Sequence, residues 1–102
     1  MLDVDAVPFA AFGLADDLEP FHSDWHRHRR HQILFASGGV LSLQVGDRRW
    51  LLPPQKAAWI AGDVSHTASS KTGAHLRTVY LDPSLVARPP TWQCRVFPVT
   101  PL

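Results

Sequence analysis

Val40-Leu41-Ser42-Leu43-Gln44-Val45-Gly46-Asp47-Arg48-Arg49-Trp50-Leu51-Leu52-Pro53-Pro54 decides the fold. Leu41, Leu43 and Val45 alternate with Ser42 and Gln44. That period of two places apolar side chains on one face of a strand and polar ones on the other. Gly46-Asp47 reads as a tight turn between antiparallel strands. Arg48 to Leu52 follows as a second strand, ended by Pro53-Pro54 because proline has no N–H to donate to a ladder.

The same grammar extends both ways. Downstream, Lys56 to Ile60 is short and apolar, and Ala61-Gly62-Asp63 turns the chain. Ser65 to Lys71 is a polar strand, Thr72-Gly73 a turn, and His75 to Leu81 alternates until Asp82-Pro83. Pro89-Pro90 makes a stiff connection to a last strand, Trp92 to Val99. Upstream, Gly38-Gly39 reads as a hairpin turn closing Trp25 to Ser37, which is His-rich at its start and apolar at Ile33-Leu34-Phe35. Val4 to Phe12 is a candidate first strand. The best helical stretch, Ala10 to Leu18, is short and holds Gly13. Roughly eight short strands joined by tight turns predict an all-β antiparallel barrel or jelly roll.

The bulk properties bound the function. A chain of 102 residues suits one domain. Hydrophobic residues at 45% and charged residues at 19% describe a globular chain. A net charge of +1 offers no strong field for nucleic acid or an anionic membrane. No apolar run approaches the roughly 20 residues that cross a bilayer. The N-terminus lacks the basic and apolar regions of a signal peptide. Cys94 is single and cannot form an internal disulfide. A cytoplasmic setting is expected.

The chemistry gathers around histidine. Four of the six histidines, His22, His26, His28 and His31, lie within ten residues. His26 and His28 share a face of an extended strand, and Gln32 keeps that parity while the strand stays regular. Arg27 and Arg29 then point the other way. His66 follows Gly62-Asp63-Val64-Ser65 at the start of another strand. If the two strands meet inside a barrel, three imidazoles and one amide oxygen converge. Such a set suits a divalent transition metal.

These residues carry a family resemblance. His26-Arg27-His28-Arg29-Arg30-His31-Gln32 followed by Gly38-Gly39 resembles the first cupin motif, two histidines one apart, an acidic residue, then glycine. Trp59-Ile60-Ala61-Gly62-Asp63-Val64-Ser65-His66 resembles the second, without its usual proline before the glycine. The whole stretch from residue 20 to 102 is similar to the N-terminal sensor domains of AraC-type transcription regulators. The resemblance implies one cupin domain over 1–102. Both motifs lie within a core of 20–83, and 84–102 form a final strand and the start of a linker. It implies a small-molecule effector bound in the barrel and a homodimer. Its metal ligands would be His26, His28, Gln32 and His66, with zinc, nickel, iron or manganese as the ion. The effector would touch these four residues together with Tyr80 and Trp59. Gln32 departs from the pattern, since metal-binding cupins carry Glu there, and a neutral amide is the weaker ligand. The chain holds no helix-turn-helix, so by itself it is not expected to contact DNA.

Other side chains read more plainly. His31 has the opposite parity and is expected to be outward or structural. His22 could swing toward the barrel mouth, and His75 is a surface residue. Trp25, Trp50, Trp59 and Trp92 are expected mainly in the core. Arg27, Arg29, Arg30, Arg48 and Arg49 read as solvated edge charges, with capture of a carboxylate effector the sharper alternative. Asp63 is a turn former and Cys94 a small buried apolar residue. Two other functions fit the same residues: a metal-dependent enzyme of dioxygenase or isomerase type, and a metal-free dimerisation module.

Overall fold

The computed structural model describes residues 3–87 and 91–99. Their strands are β1 (Ala11–Leu18), β2 (Phe21–His22), β3 (His31–Gly39), β4 (Leu41–Val45), β5 (Arg48–Leu52), β6 (Lys56–Ile60), β7 (His66–Ser70), β8 (Ala74–Leu81) and β9 (Cys94–Pro98). A five-stranded sheet runs β1-β8-β3-β6-β9, and a four-stranded sheet runs β2-β7-β4-β5. All pairings are antiparallel. The helical content of the described residues is one 3-10 turn, Pro83–Leu85. None of their helices is long and apolar enough to cross a membrane. This is the antiparallel jelly roll that the strand pattern predicts, of the cupin type that the motif resemblance implies.

The sheets meet through their period-two residues. Leu34, Leu41, Leu43, Leu52, Ala58 and Ile60 form the buried core, with Phe21, Trp50, Leu76 and Val96 packed against it. Each fully buried leucine contributes about 2 kcal/mol. Leu41, Leu43 and Val45 are buried while Ser42 and Gln44 are not, as their alternation predicts. Gly46-Asp47 is a true hairpin, closing Val45 against Arg48.

Gly38-Gly39 is not. β3 lies in the larger sheet and β4 in the smaller, so the chain crosses between sheets there. The register slips between Ala36 and Gly38. Gly39 has φ of 81°, and a Cβ on it would lie 2.3 Å from the Gly73 carbonyl oxygen. Only glycine passes this corner. Thr72-Gly73 and Ala61-Gly62-Asp63 are likewise crossings between sheets. The Pro89-Pro90 connection lies outside the described residues.

The N-terminal expectations change most. The strand is Ala11–Leu18, not Val4 to Phe12, and the stretch with the best helical character is extended. Its ladder with β8 runs from Ala11 opposite Leu81 to Leu18 opposite Ala74, and this pairing overrides weak local preference. Residues before it are held by polar contacts instead. The Asp5 carboxylate accepts the N–H groups of Arg29 and Arg30 at 2.8 and 3.2 Å. The Arg30 guanidinium donates to the carbonyls of Val7 and Ala10 at 2.9 and 3.1 Å and stands over the Phe12 ring. Arg30 is 3% exposed, a buried clamp rather than an edge charge. The Ser84 N–H, which donates to Asp82 at 3.0 Å, and Arg29, which pairs with it at 2.9 Å, hold that carboxyl well below its usual range. Arg48 covers Trp50, and Arg49 donates to Gln44, so the arginines form no single cluster.

The tryptophan expectation also fails in part. Trp25 is 49% exposed, and Trp50, Trp59 and Trp92 are half-buried. Leucine, isoleucine and alanine fill the narrow space between the sheets, so the large rings sit at its margins.

Candidate metal centre

The expected strand from Trp25 to Ser37 breaks around Arg29-Arg30, where Asp5 takes the backbone N–H groups. His26 nevertheless bridges His66, each accepting the other's N–H at 2.9 and 3.0 Å. The β6–β7 loop is strapped to the same segment. Asp63 N–H donates to the His28 carbonyl at 2.7 Å, and Gly62 N–H donates to His31 Nδ1 at 2.8 Å. Gly62 permits that approach, since a Cβ there would lie 2.2 Å from the Arg29 carbonyl oxygen. Asp63 makes the turn at φ of 63°. Backbone contacts therefore set where His66 stands relative to His26 and His28.

The three rings converge. Ring centroids are 4.3 Å apart for His26 and His66, 5.3 Å for His28 and His66, and 6.2 Å for His26 and His28. One ring nitrogen from each lies within 4.8 Å of the others. In every ring Nδ1 meets a backbone carbonyl: His26 with Asp24 at 2.8 Å, His28 with Arg30 at 2.8 Å, His66 with Val64 at 2.9 Å. A carbonyl only accepts, so each Nδ1 carries the proton and each neutral Nε2 keeps a lone pair. Such outer bonds fix the tautomer of metal-binding imidazoles. His31 has the opposite tautomer, because its Nδ1 accepts from Gly62 while its ring stacks on Trp59 at 4.9 Å. It is structural, on the outer side of β3.

His66 is the most constrained of the three. It is 2% exposed, and its Nε2 is buried with no hydrogen-bond partner. Burial pushes its pKa down to about 4, against the bond to Val64 and with help from His26 and His28. The unfolded imidazole, near pH 6.5, binds a proton that the metal-free fold rejects. Stability contributed by neutral His66 is thus complete above about pH 6.5 and is lost as pH falls toward 4. Denaturant titrations across that window should show a loss of up to about 3 kcal/mol. A flat profile above pH 4 would contradict this assignment.

Gln32 lies beside the rings, 5% exposed. Its Oε1 is 3.1 Å from His28 Nε2, and its Nε2 is 3.5 Å from the Tyr80 hydroxyl. Because His28 carries its proton on Nδ1, two acceptors face each other. A positive centre between them removes the conflict, and so does turning the amide over. The orphaned His66 nitrogen, the locked tautomers and this facing oxygen together fit a divalent cation.

Tyr80 packs its ring 5.3 Å from His28 and 5.2 Å from Phe12, and burial raises its phenol pKa. An open pocket of about 640 Å³ adjoins the rings, lined in part by His26, His28, Tyr80, Leu14, Asp16 and Arg27. Sequence reasoning missed Leu14 and Asp16. Their alternation with Phe12 in Phe12-Gly13-Leu14-Ala15-Asp16 was the available signal. Trp59 stands apart from this pocket, against His31 and Trp92. His22 lines a depression with Ser42, Ser69, Arg49 and Lys71, not the barrel mouth. His75 is exposed and bonded to Asp17. Cys94 is half-buried, and burial raises its thiol to about 11, so it is no nucleophile.

A two-sheet jelly roll with three converging histidines beside an open pocket defines a cupin-type binding domain. Residues 9–93 match the AraC-like ligand binding domain family, and the chain belongs to that family. It is 34% identical over 97 residues to the HTH-type transcriptional regulator NimR of Escherichia coli. That alignment covers 95% of this chain and 34% of the relative, so the chain spans about a third of that protein's length. It is similar to a Cupin 2 conserved barrel domain protein of Salinispora arenicola, with TM-score 0.66 and 17% identity over 84% of this chain and 75% of the other. It is also similar to Bacillus subtilis oxalate decarboxylase, whose Mn(II) centres have been characterised, with TM-score 0.64 and 15% identity over 76% of this chain and 22% of that one. At these identities the two structures share the fold alone.

Proposed function

We propose that this domain is the effector-sensing barrel of a transcription regulator, with a divalent transition metal held by His26, His28, His66 and Gln32. The observation that carries the reading is the set of three imidazoles, each locked by a backbone carbonyl and each presenting a free nitrogen to the same point. A bound ion would supply a Lewis-acidic anchor for an oxygen or nitrogen of the effector. The neutral donor set leaves the ion's charge uncompensated, which favours zinc or nickel in a binding role over redox work.

The effector is a small molecule that enters the pocket at the barrel mouth. Tyr80 and Arg27 offer it hydrogen-bond donors, and Leu14 offers an apolar wall. It acts by binding two arrangements of the domain with different affinity. The domain works in the cytoplasm as half of a homodimer. The signal passes to a DNA-binding part of the regulator, and the barrel itself does not contact DNA. NimR, a regulator with a helix-turn-helix that shares a third of its residues over this region, supports that setting.

Elemental analysis of untagged protein tests the metal. About one transition-metal ion per chain, lost in a His26→Ala/His66→Ala double variant, is the expected result. Protein that stays metal-free after incubation with zinc, nickel, iron and manganese would leave the histidines as cavity lining. The domain would then be a metal-free sensor or dimerisation module.

A further inference from the structure

We propose that Tyr80 is a positioning residue of the centre: its hydroxyl anchors the Gln32 amide in two alternative orientations, and it offers a free donor to the pocket only in the metal-loaded one. The inference rests on the metal reading above and extends it to the class of effector.

The argument starts from the two ends of the amide. One end faces His28 Nε2 at 3.1 Å, the other faces the Tyr80 hydroxyl at 3.5 Å. His28 Nε2 presents a lone pair, because Nδ1 carries the proton and donates to the Arg30 carbonyl. Without metal, the satisfied arrangement turns the amide NH2 toward His28. The amide oxygen then faces Tyr80 and accepts its O–H. With metal, the amide oxygen must face the cation, so the NH2 faces Tyr80 and donates to it. A hydroxyl can both donate and accept, so Tyr80 serves both orientations.

The consequence reaches the pocket, which Tyr80 lines. In the metal-free state the phenol proton is spent on Gln32. In the loaded state the phenol accepts from Gln32, and its proton is free to point into the pocket. Asp16 lines the same space, and no Asp16–Tyr80 hydrogen bond is present among the described residues. The loaded domain therefore selects a ligand with an accepting oxygen, such as a carboxylate.

Zinc affinities of the full chain test this by competition titration. Tyr80→Phe keeps the ring against Phe12 and His28; because the hydroxyl bonds the Gln32 amide in both states, zinc affinity should stay within about threefold of wild type. Gln32→Ala should weaken zinc about tenfold, and the double variant should match Gln32→Ala within about twofold. Benzoate should bind zinc-loaded wild type about tenfold more tightly than zinc-loaded Tyr80→Phe. A loss of zinc affinity well beyond about threefold in Tyr80→Phe, or equal benzoate affinities of zinc-loaded wild type and Tyr80→Phe, would overturn the proposal and leave the metal centre standing. A lower melting temperature in Tyr80→Phe with unchanged benzoate affinity would mark a packing role only. A wild-type chain that binds no zinc removes the underlying reading, and this proposal with it.

Discussion

His66→Leu should weaken zinc binding on the order of a thousandfold and yet raise the stability of the metal-free domain by about 1 kcal/mol. Two terms of opposite sign produce that combination. The imidazole is 2% exposed, and its Nε2 has no partner. An unsatisfied buried polar atom costs about 1–3 kcal/mol. Leucine removes that atom at similar volume but also removes the Nδ1 bond to the Val64 carbonyl, which returns part of the gain. Zinc affinity should fall on the order of a thousandfold, because one ligand's share of a typical zinc-binding free energy is lost. The loss of stability that His66 causes between pH 6.5 and 4 should also disappear, since no imidazole remains at that buried position to reject a proton. Urea unfolding of the metal-free variant, zinc titration and the pH series together check it. A less stable variant would show that His66 serves packing rather than a metal.

Gly62→Ala should lower stability by about 3 kcal/mol and zinc affinity at least tenfold. A Cβ at Gly62 would lie 2.2 Å from the Arg29 carbonyl oxygen, and the obstacle is backbone, not a side chain that can swing away. The loop must lift. That breaks the Gly62 bond to His31 and the Asp63 bond to the His28 carbonyl, the two straps that set His66 against His28. Gly46→Ala is the informative control. Gly46 has φ of 60°, but its built Cβ meets nothing within 4 Å. It should cost about 1 kcal/mol from the left-handed conformation alone and leave zinc affinity unchanged. Equal effects of the two variants on zinc would show that the loop's position does not determine the centre.

These outcomes mark how much the chain reveals when read residue by residue. The strands from Leu41 to Leu52 follow from a period of two and a Gly-Asp turn, because one side of each strand must face the core. The histidine pair and the later Gly-Asp-Val-Ser-His run were legible for the same local reason, and their convergence with Gln32 and Tyr80 is what the structure displays. Turn chemistry was less informative. Gly39, Gly62 and Gly73 look like parts of ordinary turns, yet each marks a crossing between sheets where another backbone presses within 2.6 Å of a would-be Cβ.

The sequence alone determined the all-β class, through local alternation, and it carried the motifs that resemble the family and the histidines that could hold a cation. Only the tertiary structure decided that Arg30 is a buried clamp, that β1 begins at Ala11, that Trp59 covers His31, and which ring nitrogen of each histidine is free. Each of these is set by a contact with a carbonyl, carboxylate or ring distant in sequence, and no local pattern encodes such a partner.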